Sequence, residues 1–388
     1  MRTLIAFDKF KDSLTAPDAC ALAAAALAER RPGWTIESCP LADGGEGFSD
    51  ILTRSVGGRL LNREVTGPRG GRQAASFGLV TKDSIPAPAR TLLDLPATNG
   101  AGTEVAVIEM ATASGLALLS SAQRDPWQTT SRGTGELLRA AAEAGARSVL
   151  LGVGGSATHD LGLGALAALG FRFLDGNGAP VDPPVPADWD RIVRIEVPPD
   201  LSLPPVAIAC DVTNPLLGPR GAAAVYGPQK GLRPQDLSRL EASSLRLAEL
   251  VSGACGRPAA LRDVPGAGAA GGIAFGLMTA VGARLLPGFD LVAAWLDLET
   301  RLSRADLLIT GEGRFDESSL EGKGPGAVAA RALALGKPVH VFAGQVTAAG
   351  RPGLHLHAIT PAGLPLAQAL REAPERLAHS VSSAFGSA

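Results

Sequence analysis

The sequence is poor in cysteine, histidine and aromatic residues. Its 388 residues include four cysteines, five histidines and 4% aromatic residues. The cysteines lack CxxC spacing and the histidines include only one close pair, so neither a disulfide framework nor a zinc cluster is expected. The N-terminal apolar run is too short for a signal peptide. These features predict a reducing, cytoplasmic compartment.

Excess charge of either sign is also lacking. The chain has 36 basic and 38 acidic residues, a net charge of −2, so nucleic acid is not an expected partner. One uncharged window, Val264 to Ala283, has the length of a membrane helix, but six of its residues are glycine. We therefore expect a glycine-rich loop that leads into a buried helix, and no membrane partner.

Strand and helix patterns alternate along most of the chain. Thr3 to Phe7 predicts a buried strand, and Thr15 is the expected cap of a helix that runs to about Arg31. A strand at Thr35 to Leu41 and a helix at Phe48 to Val56 follow. Residues 59 to 95, including RTLLDLP, consist of short β-rich runs separated by turn residues, a pattern typical of antiparallel strands. Further strands are predicted at 148–151, 206–210, 305–310, 338–343 and 354–359, and helices at 131–146, 160–169 and 236–251.

This order indicates two α/β domains, one made from both chain ends and a second inserted at the middle.

Basic charge comes from 30 arginines and only six lysines. Four of the lysines, Lys9, Lys11, Lys230 and Lys323, lie in segments rich in glycine or aspartate. A compact ammonium group in such a segment is typical of phosphate binding or proton chemistry.

Five loops combine glycine with carboxylate or lysine. Glycine lets backbone N–H groups approach an anion, and a following helix N-terminus adds a favourable dipole. Each loop alone is explained equally well by chain turning, whereas five at the ends of predicted parallel strands favour an anionic ligand. The loops are at 43–47, 152–160, 227–231, 266–272 and 310–324.

Carboxylates lie at or just beyond the carboxyl ends of predicted strands. They could bind Mg²⁺ beside nucleotide phosphates or accept the proton of an attacking hydroxyl. For Asp43, Glu46 and Asp160, helix N-capping is an equal alternative. The set comprises Asp8, Asp43, Glu46, Asp160, Asp211, Glu312 and Asp316.

Two other functions compete with phosphoryl transfer. Gly152 to Ala157 fits the G-x-G-x-x-A fingerprint of dinucleotide-binding proteins, with Asp175 after the next predicted strand, so an NAD(P)-dependent oxidoreductase is the main rival. A non-catalytic sensor of a small phosphorylated acid would need the lysines and glycines but not the carboxylates. A Walker A loop is absent, because Gly324 follows Lys323 where Ser or Thr is required.

Seven segments, in register over nearly the whole chain, resemble the bacterial type I glycerate kinase family. The segments are IAFDKFKDSLTA, LADGGEGF, TSRGTGELLRAA, GVGGSATHDLGLGALAALG, CDVTNPLLGPRGAAAVYGPQKG, PGAGAAGG and ITGEGRFDESSLEGKGP. The resemblance implies ATP- and Mg²⁺-dependent phosphorylation of D-glycerate to 2-phosphoglycerate, although the residues alone leave the 2- and 3-positions open. It also implies a monomer or homodimer with small-molecule substrates.

The implied fold is a flavodoxin-like domain from residues 1–58 and 290–388, with an inserted α/β domain at 59–289 and the active site in the cleft between them. Departures from the family's usual residues are Phe7, Lys9, Asp12, Arg132, His159 and Phe315. Positions that keep the family's residues are Asp8, Lys11, Ser156, Asp160, Asp211, Asn214, Lys230, Glu312, Asp316 and Lys323.

The resemblance, together with the loops, leads to a set of expected roles. Lys11, Lys230 and Lys323 would contact phosphate or carboxylate groups, Asp211 or Asp8 would accept the hydroxyl proton, and Glu312 with Asp316 would bind Mg²⁺. The turn of Gly154, Gly155 and Ser156 would donate backbone N–H groups to an anion. Further expected binding residues are Asp43, Gly44, Gly45, Glu46, Asp160, Asn214, Gln229 and Gly268.

Overall fold

A computed structural model describes residues 1–95, 102–317, 319 and 324–386. The chain divides into two compact units. The first consists of Met1–Asp43 and Val292–Ala388, and the second is Gly44–Leu291. Over the described residues, no helix combines the length and the apolar character that crossing a membrane would require.

Unit 1 is a layered α/β unit. Strand β1 (Arg2–Phe7) is buried from Thr3 onward, as expected for an apolar strand covered on both faces. Helix α1 (Ala16–Arg30) begins as predicted, because the Thr15 side chain accepts a hydrogen bond from the Asp18 amide. The remaining elements are β2 (Thr35–Ser38), α11 (Leu298–Arg304), β11 (Leu307–Phe315), α12 (Gly324–Ala334), β12 (Val339–Val346), β13 (Leu354–Ala358) and α13 (Leu366–Ala384).

The sheet of unit 1 confirms the flavodoxin-like prediction. Among the described residues its order is β2-β1-β11-β12-β13, with every pair parallel. Counted within the unit this is the doubly wound order 2-1-3-4-5, in which the connections change direction between β1 and β11. Ligands of such sheets bind beyond the carboxyl ends of the strands at this switch point. In the register, Phe7 pairs with Gly311 there.

Unit 2 contains a mixed sheet. Its described order is β10-β9-β6-β5-β4-β3, parallel from β10 to β5 and antiparallel at β4 and β3. The strands are β3 (Arg59–Thr66), β4 (Arg72–Thr81), β5 (Glu104–Glu109), β6 (Ala146–Gly152), β9 (Val206–Ala209) and β10 (Arg284–Leu286). The helices are α2 (Phe48–Ser55), α3 (Ala87–Leu92), α4 (Met110–Ser114), α5 (Arg132–Glu143), α6 (Leu163–Ala168), α7 (Ala222–Tyr226), α8 (Leu237–Ala254), α9 (Ala269–Val281) and α10 (Gly288–Trp295), the last of which continues into unit 1.

The boundary between the units lies at residue 43, earlier than the predicted residue 58. Helix α2 belongs to unit 2 because its polar and apolar contacts are with that sheet. The buried Ser49 hydroxyl donates to the Val107 carbonyl at 2.7 Å and accepts from the Gly78 amide at 3.1 Å. Hydrophobic periodicity predicts such a helix without indicating which sheet it covers.

Three local predictions were wrong in detail. RTLLDLP contributes to helix α3 rather than to a strand, because Pro86, with Pro88 in the first turn, favours a helix start. Strand β2 ends at Ser38 rather than Leu41. The helix expected from residue 160 begins at Leu163, since the preceding segment turns back on the Asp160 carboxylate.

The dinucleotide-binding alternative lacks its structural context. The strand that should follow the fingerprint, β7 (Arg172–Leu174), is present but pairs antiparallel with β8 (Arg194–Glu196) in a separate two-stranded sheet. Asp175 accepts hydrogen bonds from the amides of Asn177 and Ala179, and so closes a turn. A Rossmann fingerprint requires that strand to lie parallel in the main sheet.

The uncharged window forms a glycine-rich turn and a buried helix, as predicted. Ala270, Gly271 and Gly272 have left-handed backbone conformations before the regular part of α9. A Cβ atom at Gly271 would lie 2.0 Å from the Thr158 carbonyl oxygen, so this turn packs directly on the loop after β6.

Close packing of the unit 1 sheet makes Gly311 intolerant of a side chain. A Cβ atom there would lie 1.7 Å from the Phe342 carbonyl oxygen, whereas one at Gly33 would meet nothing within 4 Å. We expect Gly311→Ala to destabilise the protein by about 2 kcal/mol or more, and Gly33→Ala to have little effect. Thermal unfolding followed by circular dichroism compares the two. Equal melting temperatures would contradict the observed strand spacing.

Candidate active site

Two acidic residues meet at the switch point of unit 1. Asp8 directly follows β1, and its amide donates to the Gly311 carbonyl at 3.0 Å. Glu312 is the next residue of β11, so the parallel register brings both acidic positions to the same edge. Asp8 is buried and Glu312 half-buried. Both residues were expected at or just beyond the ends of strands; Asp8 lies there, whereas Glu312 lies within β11, which continues to Phe315.

Lys9 forms ion pairs with two acidic residues. Its Nζ lies 3.2 Å from Asp43 Oδ1 and 3.6 Å from Asp8 Oδ1. Its backbone amide also donates to Asp8 Oδ1 at 2.7 Å. The sequence analysis gave Lys9 no specific role, although an ammonium group next to a strand-end carboxylate was a usable signal.

Burial raises the pKa values of both switch-point carboxyls. For Asp8 burial is the largest cause, Lys9 opposes it and Asp43 adds to it, so the pKa is raised to about 6. For Glu312 burial is again the largest cause, with a hydrogen bond from Ser319 lowering the pKa and the neighbouring carboxylates raising it, to about 7. Carboxyls with such pKa values exchange protons near neutral pH, as an acid–base group in catalysis must.

A cavity of about 610 Å³ opens beside these carboxyls within unit 1. Its charged part contains Asp8, Lys9, Asp43 and Glu312, together with the exposed Lys11. The lining also includes apolar side chains from the loop after β13 and the first turns of α13. A volume of this size suits a small-molecule ligand.

Two predicted residues of unit 1 remain, Asp316 and Lys323, and Asp316 is not among the described residues that line this cavity. Asp316 lies just beyond β11, with Oδ2 3.2 Å from Arg314 Nε, and its amide donates to Ser319 Oγ. Lys323 lies outside the described residues. Among the residues that the structure describes, no group of three or more His, Cys, Asp or Glu residues could hold a metal ion.

In unit 2 the loop at 44–47 packs closely against the glycine turn after β6. The Gly154 amide donates to the Gly44 carbonyl at 2.9 Å. A Cβ atom at Gly154 would lie 2.7 Å from Gly45 Cα, so only glycine fits at this approach. Gly155 is exposed with φ +71°, and Glu46 is exposed as well. The structure therefore brings two of the five predicted loops together.

Lys230 is buried beneath this turn. Its Nζ donates to Ser156 Oγ at 2.9 Å and to the Thr158 carbonyl at 2.6 Å, and the residue is 2% exposed. Burial lowers the pKa of Lys230 to about 7, although nearby Asp160 acts in the opposite direction. The ammonium group thus holds the shape of the turn from below.

Asp160 and His159 are wholly enclosed. The Asp160 carboxylate accepts from the amide and hydroxyl of Ser131, at 2.7 and 2.8 Å, and from the amides of Gly162 and Gly164. Burial raises its pKa while these hydrogen bonds lower it. His159 Nε2 lies 3.2 Å from Ser244 Oγ, and burial lowers the histidine pKa to about 3. Ser131 was not among the predicted site residues; its only signal was its place at the start of a predicted helix.

The loops after β9 and before α9 form a second contact. The Gly268 amide donates to the Asn214 carbonyl at 3.0 Å, and the Tyr226 hydroxyl donates to Asn214 Oδ1 at 2.6 Å. Both carboxylate oxygens of Asp211 accept from the Phe289 amide, at 3.1 and 3.0 Å, near the start of α10. Gln229 is exposed.

Comparisons with known proteins agree with one another. A family model described as the glycerate kinase family matches residues 3–386. The chain is 39% identical to a glycerate kinase of Bacillus subtilis, covering 97% of this chain and 94% of that protein. It is 38% identical to a glycerate 2-kinase of Escherichia coli, and the match covers 89% of this chain and 86% of that protein. A crystal structure assigned to glycerate kinase 2 of Salmonella typhimurium LT2 is similar, with a TM-score of 0.73 and 36% sequence identity. The similarity covers 99% of this chain and 97% of that chain.

The raised pKa of Glu312 predicts a pH dependence of stability. Below its folded pKa of about 7 the folded protein retains a proton that the unfolded chain, with a pKa near 4.5, releases. The wild type should therefore lose stability relative to Glu312→Gln as pH rises from about 4.5 to 7, by at most about 1.4 kcal/mol per pH unit.

Melting temperatures of the two proteins across pH 4.5 to 8 measure this difference. Glu317→Gln is the control, because Glu317 is an exposed glutamate that lies shortly after β11, the strand that contains Glu312. A pH-independent difference between wild type and Glu312→Gln would contradict the assignment.

Proposed function

The chain belongs to the glycerate kinase family, and from this premise we propose that it transfers the γ-phosphoryl group of ATP to D-glycerate, giving 2-phosphoglycerate and ADP. The observation that carries the proposal is the pair of carboxyls at the switch point of unit 1, the buried Asp8 and the half-buried Glu312. Phosphoryl transfer needs positioned charge and an acceptor for the hydroxyl proton, and these groups supply both.

Asp8 is the proposed acceptor of the glycerate hydroxyl proton. Its pKa of about 6 leaves it ionised at neutral pH and still basic enough to accept a proton as the new P–O bond forms. The sequence left Asp211 as the alternative. Asp8 is preferred because both oxygens of Asp211 accept from the Phe289 amide.

The carboxylates of unit 1 also fit Mg²⁺. The donors are hard carboxylate oxygens, and Mg²⁺ is usually held by one or two carboxylates, water and substrate phosphates rather than by a complete protein cage. Glu312 and Asp316 are the proposed ligands. When bound, Mg²⁺ neutralises the charge of the ATP phosphates.

The glycine turn of unit 2 is proposed to bind an anionic group of a substrate. Gly155 and Ser156 offer backbone N–H groups, and Lys230 holds the turn through Ser156. The N–H group of Gly154, which was also expected to contact the anion, donates to the Gly44 carbonyl instead. Lys11 is the proposed exposed cation at the cavity in unit 1, and Lys323 keeps its proposed phosphate contact on sequence grounds.

Phosphorus NMR of the purified protein with D-glycerate, ATP and Mg²⁺ tests the function directly. The expected product is 2-phosphoglycerate, which forms only when D-glycerate is present. A 3-phosphoglycerate signal would overturn the proposed regiochemistry, and the absence of any phosphorylated acid would overturn the substrate. A parallel reaction with NAD⁺, followed at 340 nm, should show no reduction.

Removing the charge of Asp8 should abolish most turnover. We expect Asp8→Asn to lower kcat by about 10²–10⁴-fold, the usual contribution of a positioned acid–base group, while the melting temperature stays near that of the wild type. Asp12→Asn is the matched control, because Asp12 lines the same cavity and its φ of 62° suits asparagine. Steady-state kinetics compare the two. Equal kcat values would remove Asp8 from the reaction.

Lys230 should act through Ser156, which a double-mutant cycle can measure. Lys230→Met and Ser156→Ala each break the 2.9 Å hydrogen bond, so their effects on kcat/KM should be far less than additive. Lys337→Met is the control and should match the wild type, because Lys337 is a half-buried lysine of unit 1 that donates to the Ser303 carbonyl. Strictly additive effects would show that Lys230 acts independently of the turn.

A further inference from the structure

The cavity of unit 1 has an apolar wall that the proposed chemistry does not use. Ile359 follows β13, Leu364 lies in the next loop, and Leu366 and Leu370 are in the first turns of α13. The charged part with Asp8 and Glu312 belongs to the same cavity. The cavity is therefore lined by both a charged and an apolar group of side chains.

Leu366 is unusually exposed for a leucine at a cavity wall. It is 72% exposed, more than any other large apolar side chain among the described residues. Leu364 and Leu370 beside it are half-buried. Apolar side chains grouped at the edge of a concave surface are typical of ligand-binding grooves.

The two proposed substrates differ in their ability to cover this wall. Each carbon of glycerate carries oxygen, so glycerate offers no apolar surface. ATP offers surfaces of both kinds: a charged triphosphate at one end and a flat purine with apolar faces at the other. A purine against the leucines would remove their apolar surface from water, and this burial is favourable.

We propose that the apolar wall of Ile359, Leu364, Leu366 and Leu370 is the purine subsite for ATP. This inference rests on the proposed function, because it takes ATP as the phosphoryl donor. The triphosphate then extends toward the charged residues of the cavity, which include Lys9, Lys11 and Glu312, one of the two proposed Mg²⁺ ligands. Purine binding is thereby assigned to the outer strands of the sheet and to α13.

Two polar residues of the same cavity are positioned to orient the base. Gln345, on β12, is exposed, and Thr360 follows Ile359 at the end of β13. Small-molecule pockets commonly combine an apolar wall with a few polar groups that set orientation. We assign to these two side chains the hydrogen bonds to the edge of the purine.

The double substitution Leu364→Ser with Leu366→Ser tests the subsite by removing apolar surface without adding charge. We expect KM for ATP to rise about tenfold or more, the usual effect of lost hydrophobic contacts in a pocket. KM for glycerate, kcat and the inhibition constant of tripolyphosphate, which has phosphates but no base, should stay unchanged. Leu335→Ser is the matched control, since Leu335 is a 48% exposed leucine of the same unit just beyond α12.

Saturation-transfer NMR of the adenine protons of ADP supplies a readout that is independent of turnover. The wild type should transfer saturation to these protons, and the double variant should lose the signal. If ADP binds in this way but glycerate is not phosphorylated, the subsite stands and the proposed function fails. If the wild type phosphorylates glycerate but the double variant keeps the ADP signal, or changes only KM for glycerate, the subsite is overturned and the function stands.

Discussion

The burial of Asp8 and Glu312 at one edge of the unit 1 sheet is the constraint on which the account depends. Desolvation of ionised carboxyl groups is costly, and it is the largest cause of the raised pKa of each of these residues. A fold keeps such an arrangement only where other interactions offset its cost. Here these are the parallel register that positions both residues and the ion pairs of Lys9 with Asp8 and Asp43.

Unit 2 also encloses a charged group, which here is a cation. Lys230 is enclosed beneath the glycine turn and has its pKa lowered to about 7. Its hydrogen bonds to Ser156 and to the Thr158 carbonyl shape the turn, and the nearby Asp160 carboxylate is held by Ser131 and the amides after it. Buried polar groups of this kind are stable only when they are paired, so the turn has a single well-defined shape.

Much of the fold could be predicted because its signals are local. The apolar run of β1, the Thr15 cap and the alternation of strands with helices are readable from short segments, and the resemblance added the flavodoxin-like order. The boundary at residue 43 and helix α3 could not be predicted, because the side on which a helix packs depends on distant strands.

The candidate site, like the fold, could be predicted only where its signals are local. Asp8 was recognisable from its position directly after β1, since the carboxyl ends of parallel strands share one edge. Glu312 was expected just beyond a strand, but β11 continues past it to Phe315. The environment of Asp160 could not be predicted, because its hydrogen-bond partner Ser131 lies 29 residues away in sequence. The Lys9 ion pair with Asp43 likewise joins segments 34 residues apart. Contacts of this kind form only when the strands have been brought into register.

A crystal structure of the protein with D-glycerate, ADP and Mg²⁺ would test the central claim most directly, through the distance from the 2-hydroxyl oxygen of glycerate to the nearest protein carboxylate. The account predicts that this carboxylate is Asp8, within about 3 Å. A glycerate hydroxyl that contacts Asp211 instead, with Asp8 remote from both substrates, would contradict it.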